Sequence, residues 1–225
     1  MTDIKTDIMK KLIDTLEKLN IDGAGEKAEI LLQYMEQILQ WNEKVNLTAI
    51  TDRDEFVQKH FVDSLLCAGS EEFLRAEAVI DVGTGGGFPG VPLAVCFPDK
   101  RFVLMDSLAK RLKIVDEICG MLGITNVETV HGRAEELARK KEYREQFDCC
   151  VSRAVANMST LSEYCLPLVK EGGTFIAYKG PDCESELNDA SRAISLLGGR
   201  TDRTEEAGLA EFSHHLAYIR KEKQT

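Results

Sequence analysis

The sequence predicts an α/β fold, in which a mainly parallel, doubly wound sheet carries helices on both faces and follows an N-terminal helical cap. From about Ala76 onward, short apolar runs alternate with helical patterns, as in chains of β-α-β units. Glycines follow the first apolar run, where a turn into the next helix is expected. Residues 1–70 lack this alternation, so we divide the chain into a helical extension, 1–70, and an α/β domain, 71–225.

The bulk composition limits the kind of protein and its location. The 225 residues are 44% hydrophobic and 29% charged, which is typical of a soluble globular chain. A formal charge of −10 argues against sequence-independent binding of nucleic acid, but it allows a local basic face. We find no apolar signal core and no run long enough to span a membrane. These features predict a cytoplasmic protein without membrane contact.

Seven scattered cysteines also indicate a cytoplasmic protein. Their number is odd, several lie in apolar runs, and no CxxC pair occurs. The pattern predicts buried, reduced thiols, as in cytosolic proteins, and neither a disulfide framework nor a zinc site. We therefore expect no bound metal.

Three helices are predicted in the extension. Asn20–Gly25 separates the first two, and Trp41 to Thr48 reads as a helix end followed by a loop. Thr51 with Asp54 forms a weak capping box that predicts the start of the third helix. The apolar residues at helical spacing are Ile4, Ile8, Leu12, Leu16 and Leu19 in the first helix, Ile30, Leu31, Tyr34, Met35, Ile38, Leu39 and Trp41 in the second, and Phe56, Val57, Phe61 and Leu65 in the third.

The α/β domain is predicted to contain six strands and five helices. The expected strands are Val79–Val82, Arg101–Met105, Asn126–Val130, Phe147–Ser152 and Thr174–Tyr178, with His215–Arg220 as a last, edge strand. The expected helices are Val91–Phe97, Lys110–Leu122, Ala134–Lys141, Met158–Val169 and Glu184–Leu197. Crossovers between parallel strands should be right-handed.

The stretch VIDVGTGGGFPG, from Val79 to Gly90, is the main motif, and it allows more than one interpretation. Gly85–Gly90 satisfies the GxGxxG pattern of dinucleotide sites, whose pyrophosphate lies at a helix N-terminus. The first glycine after the strand is Gly83, however, and Asp81 followed by GxGxG fits the S-adenosylmethionine (SAM) loop of methyltransferases. In that case Asp81 would neutralise the methionine ammonium, and free N–H groups of the next helix would face the ligand. A plain glycine turn is the third interpretation.

Polar residues follow the second and third predicted strands, where nucleoside ligands bind in open α/β sheets. Asp106 ends the second strand and could accept hydrogen bonds from both ribose hydroxyls of either NAD or SAM. After the third strand, Glu135 could accept the adenine amino group while the Ala134 N–H contacts the adenine edge. A solvated turn aspartate and an ordinary acidic first helical turn are the alternatives.

Basic residues follow the fourth and fifth strands. Arg153 could contact a cofactor carboxylate or a substrate phosphate bidentately, and Lys179 could contact a phosphate or base. A structural ion pair and a solvated strand-end lysine are the competing explanations. His60 and Asp63, three residues apart on one helix, could form a polar pair that faces the cleft, and a satisfied helix-face histidine is the alternative. The (D/N)PP(Y/F) motif of amino-directed nucleic-acid methyltransferases is missing at the fourth strand end.

Taken together, the motifs give the chain a close resemblance to the bacterial glucose-inhibited division protein B family, the 16S ribosomal RNA guanine-N7 methyltransferases. The resemblance covers nearly the whole chain. The blocks that carry it are Trp41-Asn42 with Asn46-Leu47-Thr48, His60 with Asp63-Ser64-Leu65, DVGTGGGFPGVPLA from Asp81, Asp106-Ser107 with Lys110-Arg111, Gly132 to Glu136, Ser152 to Ala156, and Lys179-Gly180.

The resemblance implies a Rossmann-like, SAM-dependent enzyme that acts on 16S rRNA of the small ribosomal subunit. It implies that the cofactor contacts fall on Gly83, Phe88, Ala134, Glu135 and Arg153. Asp81, Gly85 and Asp106 join this cofactor set by the motif arguments above.

Methylation at guanine N7 would explain why the sequence shows no conspicuous general base or nucleophile. N7 carries a lone pair and no proton, so its methylation needs positioning but no general base. Arg153 is therefore assigned a positioning role, with Lys179 as a second holder of RNA or cofactor. Our hypothesis is that Asn46, His60 and Asp63 line the guanine entrance.

Three other functions remain open at this level. A SAM-dependent methyltransferase for a protein or small molecule would suit the acidic charge better. An NAD-dependent oxidoreductase would use Gly85–Gly90, but no hydride-transfer partner is evident. A non-catalytic SAM-binding ribosome-assembly factor would bind the cofactor without methyl transfer.

Overall fold

The computed structural model describes residues 2–207 and 214–225, and this part of the chain forms a seven-stranded sheet. The strand order is β3-β2-β1-β4-β5-β7-β6, with parallel pairing from β3 to β5 and antiparallel pairing of β7 with both neighbours. The strands are β1 Ala78–Val82, β2 Arg101–Asp106, β3 Val127–His131, β4 Phe147–Arg153, β5 Val169–Lys179, β6 Gly199–Ala207 and β7 His214–Lys221. The predicted mainly parallel, doubly wound sheet is confirmed.

Helices cover both faces of the sheet. They are α1 Thr2–Lys18, α2 Ala24–Asn42, α3 Arg53–Phe56, α4 Glu71–Arg75, α5 Gly90–Cys96, α6 Ala109–Leu122, α7 Ala134–Leu137, α8 Met158–Cys165 and α9 Cys183–Leu196. α3 continues into a π-helical segment, Val57–Val62, and Leu65–Gly69 and Leu166–Leu168 form 3₁₀ turns.

Alternate residues of the central strands feed two separate cores. In β1, Val79 packs with the helical extension, α5 and α6, whereas Ile80 packs with α7, α8 and α9. This is the period-two alternation of a strand that is buried on both sides. The extension therefore shares one core with the sheet, and the division at residue 70 stays a prediction.

The last predicted strand was placed wrongly in the sheet. β7 lies between β5 and β6, so it is an inner strand, and β6 forms that edge. β6 was missed because its sequence, GRTDRTEEA, is polar on both faces and lacks apolar alternation. β7 by contrast has a run of buried apolar residues, which is what an inner strand requires.

The larger differences from the predicted boundaries concern four elements. α8 ends at Cys165 because Pro167 lacks the N–H that would continue the helix, and β5 begins at Val169 rather than Thr174. α7 stops at Leu137 instead of Lys141. Asp52, not Thr51, caps α3, since its side chain accepts the Glu55 N–H at 2.9 Å.

All seven cysteines are buried, free thiols, as predicted. Burial raises the pKa of Cys67, Cys96 and Cys119 to about 12. In the described ranges, no helix has the length and apolar character needed to cross a membrane.

Candidate active site

A cleft of about 330 Å³ opens at the carboxyl ends of the parallel strands. Gly83 lines it from the end of β1, Asp106 from β2, and Ala134 with Glu135 from the turn after β3. Val155, in the loop after β4, lines the opposite side. Four strand ends that are far apart in sequence therefore meet in one concave site, where open α/β sheets bind their ligands.

Gly83 is the glycine that the strand-to-cleft turn requires. It follows β1 directly with a φ of +77°, and its N–H donates to the Met105 carbonyl at 2.8 Å. A Cβ atom at this position would lie 2.4 Å from Cγ2 of Val155. Both the left-handed backbone and the close approach of Val155 depend on the missing side chain.

Asp106 is held rigidly in the cleft by backbone donors. Its carboxylate accepts the Gly85 N–H at 2.9 Å through one oxygen and the Leu108 N–H at 2.8 Å through the other. Each carboxylate oxygen can accept more than one hydrogen bond, so the group retains acceptor capacity for a ligand. Gly85 itself does not line the cleft; its contribution is this bond to Asp106.

Ala134 and Glu135 form the first turn of α7 on the far side of the cleft. Backbone N–H groups in a first helical turn have no partner within the helix, so such a turn can donate to a bound ring. The Glu135 side chain is exposed and forms an ion pair with Arg133 at 3.4 Å. A donor and an acceptor thus lie side by side in the cleft, and their contact with the edge of adenine stays a prediction.

Asp81 does not line the cleft as we expected. It is fully buried, and its Oδ2 accepts from the Thr84 hydroxyl at 2.7 Å and from the Gly90 N–H at 2.8 Å. Its Oδ1 is buried and has no hydrogen-bond partner among the described residues. Burial raises the pKa of Asp81 to about 7, although the hydrogen bonds from Thr84 and Gly90 act to lower it. Asp81 thus closes the glycine loop onto α5, and the Gly90 N–H is not free for a ligand.

Phe88 also lies away from the cleft lining. Its ring stacks on the His60 imidazole at 4.3 Å between centroids and meets Tyr34 edge-on at 6.1 Å. Phe56 and Phe61 complete this aromatic cluster. The glycine loop thus turns Phe88 toward the core shared with the helical extension, and the expected packing of Phe88 against the cofactor stays a prediction.

Arg153 connects the end of β4 to the extension. Its Nη1 donates to the Lys59 carbonyl at 2.9 Å and to Asp63, and its Nη2 donates to Nδ1 of His60 at 3.1 Å. The guanidinium also lies 5.7 Å from the centre of the Phe88 ring. Arg153, His60 and Asp63 are thus brought together as one polar cluster, although they come from distant parts of the chain.

His60 must be neutral in this cluster. An arginine only donates, so Nδ1 of His60 accepts from Arg153, and Nε2 donates to the Thr48 hydroxyl at 2.7 Å. Burial lowers the pKa of His60 to about 3, and the charge of Arg153 adds to this effect. The imidazole is a fixed hydrogen-bonding spacer rather than a proton carrier.

The sequence analysis missed His214. Its Nδ1 bonds to Asp63 Oδ1, on the opposite side of the carboxylate from Arg153. Burial favours a raised pKa for Asp63, but the His214 and Arg153 contacts outweigh it and lower the pKa below its usual value. The hydrogen bond to Asp63 raises the pKa of His214. No sequence signal pairs a strand-initial histidine with a helical aspartate 151 residues away.

The other two predicted substrate residues, Lys179 and Asn46, lie outside the cluster of Arg153, His60 and Asp63. Lys179 forms an ion pair with Glu186 at 2.6 Å and donates to the Ala156 carbonyl, so its ammonium ties β5 to α9. Asn46 is exposed in the loop after α2 and lies two residues before Thr48. Throughout the described ranges, no three His, Cys, Asp or Glu side chains are grouped as metal ligands.

Comparison with known proteins identifies relatives of this chain. The chain is similar to the ribosomal RNA small subunit methyltransferase G of Clostridium novyi (strain NT), with 46% identity over 93% of this chain and 87% of that protein. It is also 46% identical to the protein of that name from Clostridium perfringens (strain 13 / Type A), over 97% of this chain and 91% of the other.

Solved structures resemble the fold at low identity. An O-methyltransferase from Bacillus cereus in complex with SAH matches with a TM-score of 0.58 and 18% identity, over 84% of this chain and 90% of that one. A SAM-dependent methyltransferase from Aquifex aeolicus matches with a TM-score of 0.56 and 17% identity, over 82% and 97% of the two chains. The architecture is therefore that of Rossmann-like methyltransferases.

The family model described as rRNA small subunit methyltransferase G matches residues 27–216, which include the extension from the first turn of α2 onward, the glycine loop, strands β1 to β6 and the start of β7. SAM-dependent methyl transfer is accordingly the chemistry of this fold and family, and the NAD interpretation of the glycine motif is set aside. The chain belongs to the rRNA small subunit methyltransferase G family.

Proposed function

We propose that the chain methylates N7 of a guanine in 16S rRNA of the small ribosomal subunit, with SAM as the methyl donor. The observation that carries the proposal is the cleft in which Gly83, Asp106 and the Ala134–Glu135 turn converge, in a chain of this family. When bound, SAM supplies an electrophilic methyl group that the lone pair of guanine N7 can attack.

The cleft residues fit a nucleoside with a charged tail. Asp106 retains acceptor capacity for ribose hydroxyls, and Glu135 with the Ala134 N–H offers an acceptor and a donor for adenine. Gly83 allows close approach to the backbone. Arg153 contributes a cation beside the cleft residues Ala154 and Val155, with part of its donor set unused among the described contacts.

The polar cluster suits a reaction that moves no proton from the substrate nitrogen. His60 is neutral and bonded at both nitrogens, and the Asp63 carboxylate is held by Arg153 and His214. Neither group is poised as a general base. Their proposed role is to fix Arg153 so that cofactor and guanine meet in line. Asn46, exposed near the same cluster, is proposed to contact the RNA.

The proposed substrate is tested with isotopically labelled SAM. Wild-type protein is incubated with small subunits, naked 16S rRNA, total protein and a metabolite extract. We expect label in 16S rRNA, recovered as 7-methylguanosine, and stronger labelling of subunits, because an acidic protein gains little from sequence-independent attraction to RNA. Label in protein or metabolites instead would support the second methyltransferase function. SAM binding without any transfer would support the assembly-factor alternative.

The role of Arg153 is tested by Arg153→Ala. We expect the rate of methyl transfer to fall by about 100-fold or more, because the SAM methyl group and guanine N7 are no longer held in line. The variant should stay folded but lose about 1–3 kcal/mol, since the buried Asp63 loses one of its two partners. Arg192→Ala, at an exposed position on α9, is the matched control. Wild-type turnover in Arg153→Ala would contradict the assignment.

A further inference from the structure

Asp63 is held from two sides by residues of two different strands. Nη1 of Arg153, at the end of β4, donates to Oδ2, and Nδ1 of His214, at the start of β7, bonds to Oδ1. Asp63 is buried, with 2% of its side chain exposed. A carboxylate clamped in this way cannot turn without breaking one of the two contacts, so the two basic side chains share one rigid anchor.

The sheet topology explains why His214 reaches this point. β7 runs antiparallel to β5, so its first residues lie beside the carboxyl end of β5, where Lys179 pairs with His215. In the next strand Arg153 pairs with Tyr178. Side chains alternate along β7, and His214 shares its face with Leu216 and Tyr218, which pack in the core with the extension. His215 points to the other face.

The charges around His214 favour its protonated form only while Asp63 is in place. Asp63 attracts the protonated imidazole, whereas Arg153 and partial burial oppose it. His60, on the far side of Arg153, is neutral. On β6, Glu206 is in register with His215 and not with His214. The partner of His214 in this cluster is therefore Asp63.

We propose that His214 is a positioning residue for methyl transfer: it holds Asp63 from behind, and Asp63 in turn orients the Arg153 guanidinium at the edge of the cleft. The proposal rests on the role given above to Arg153. Without His214, Asp63 is free to rotate or to take up a proton, and Arg153 loses the partner that sets its direction. Arg153 then no longer holds the cofactor in a productive position.

Three variants separate positioning from packing. His214→Ala removes the contact, His214→Asn keeps a neutral donor near the place of Nδ1, and His215→Ala alters the neighbouring residue on the opposite face of β7. For each protein, kcat, KM for SAM and equilibrium affinity for SAM are measured between about pH 6 and pH 9 with small subunits as substrate. The imidazole of His214 is titrated by NMR in wild type and in Asp63→Asn.

We expect kcat/KM for SAM to fall by about tenfold in His214→Ala, with a matching loss of SAM affinity, and to recover largely in His214→Asn. Wild-type kcat/KM should decline only modestly as the pH rises through the pKa of His214, because the neutral imidazole can still donate from Nδ1 to Asp63. Above that pKa it should reach the pH-independent level of His214→Asn. Asp63→Asn should lower the NMR midpoint of His214, while His215→Ala should resemble wild type.

A purely structural role predicts different results. If His214→Ala lowers only the melting temperature and leaves SAM affinity and the pH profile unchanged, the proposal is overturned. If wild-type protein transfers no methyl group to RNA, the proposed function is wrong. In that case SAM affinity still decides the question, since equal affinity in wild type and His214→Ala overturns the positioning role by itself.

Discussion

His60, in the polar cluster with Arg153 and Asp63, makes the folding stability of the protein depend on pH. In the folded protein, burial lowers the pKa of His60 to about 3, which is below the ordinary imidazole pKa of 6.5 that applies in the unfolded chain. The unfolded chain therefore binds the proton first as pH falls, and stability is lost from about pH 6.5 downward.

The first prediction concerns His60→Gln. Between about pH 7.5 and pH 5, wild type should lose about 2 kcal/mol more stability than the variant, because only wild type carries this buried neutral imidazole. Guanidinium unfolding at both pH values measures the difference, and subtraction cancels the contribution of His214. The exposed His131→Gln is the control. An equal loss in wild type and His60→Gln would contradict the assigned neutral state.

The backbone conformation of Gly83 and its close contact with Val155 both contribute to the shape of the cleft. Gly83→Ala places a Cβ 2.4 Å from Val155 Cγ2 and forces alanine to a φ of +77°. We expect a loss of about 1–3 kcal/mol in stability and weaker SAM binding. The double variant Gly83→Ala with Val155→Ala removes the clash but keeps the backbone strain. It should therefore recover only part of the lost stability. Unfolding curves and SAM titrations measure both effects.

The control for Gly83 lies in a helix. Gly120 is in α6, and a Cβ there would meet nothing within 4 Å. Gly120→Ala should therefore be neutral or stabilising by up to about 1 kcal/mol. If Gly83→Ala is as harmless as Gly120→Ala, the close approach of Val155 does not shape the cleft.

At the level of elements, the glycine loop is held by α2 as well as by the sheet. The Tyr34 hydroxyl donates to the buried Gly86 carbonyl at 2.8 Å, and its ring packs edge-on against Phe88. A helix of the extension thus contacts the loop that forms the cofactor side of the cleft. This coupling implies that changes in α2 affect ligand binding.

Tyr34→Phe tests the coupling with a small change. Leaving the Gly86 carbonyl buried without a partner should cost about 1–2 kcal/mol, and SAM affinity should fall by a factor of about three as the loop loosens. Tyr218→Phe removes a comparable bond, to Glu205 at 3.0 Å, away from the loop. It should leave SAM affinity unchanged. Equal affinities in the two variants would show that α2 does not support the loop.

Across the whole molecule, the extension and the sheet depend on each other. Leu31, Tyr34 and Met35 of α2 belong to the same buried cluster as Val79, Phe102 and other strand residues. Removing the extension would expose to water the apolar residues of α5, α6 and the sheet that it covers, and the hydrophobic surface left behind would be large. The chain is thus expected to fold as a unit.

The prediction is that a chain lacking residues 1–52 does not fold. We expect it to aggregate or to show a collapsed spectrum without dispersed amide signals, because α1 and α2 supply much of one core. Size-exclusion chromatography and two-dimensional NMR provide the measurement. A monomeric fragment with a native spectrum would instead show that the sheet folds without α1 and α2, which the sequence-based division between extension and α/β domain requires.

The sequence by itself determined the class of the fold and the family. Strands β1, β2, β4 and the second half of β5 carry short, continuous apolar runs, which are typical of strands that are buried on both faces. The order of motifs from Asp81 through Asp106 and Glu135 to Arg153 placed four strand ends on one edge of the sheet. Parallel topology therefore predicted where the cleft lies, and four of the predicted site residues, Gly83, Asp106, Ala134 and Glu135, line it.

The tertiary structure decided which side chains face the cleft and which face the core. Asp81 and Phe88 are in the main motif, yet both point away from the cleft, since docking of the extension and α5 gives them buried partners. Asp63 meets Arg153 across 90 residues and His214 across 151. Periodicity reports whether a residue is buried but not what it touches. Contacts at such separations exist only after the extension has packed on the sheet.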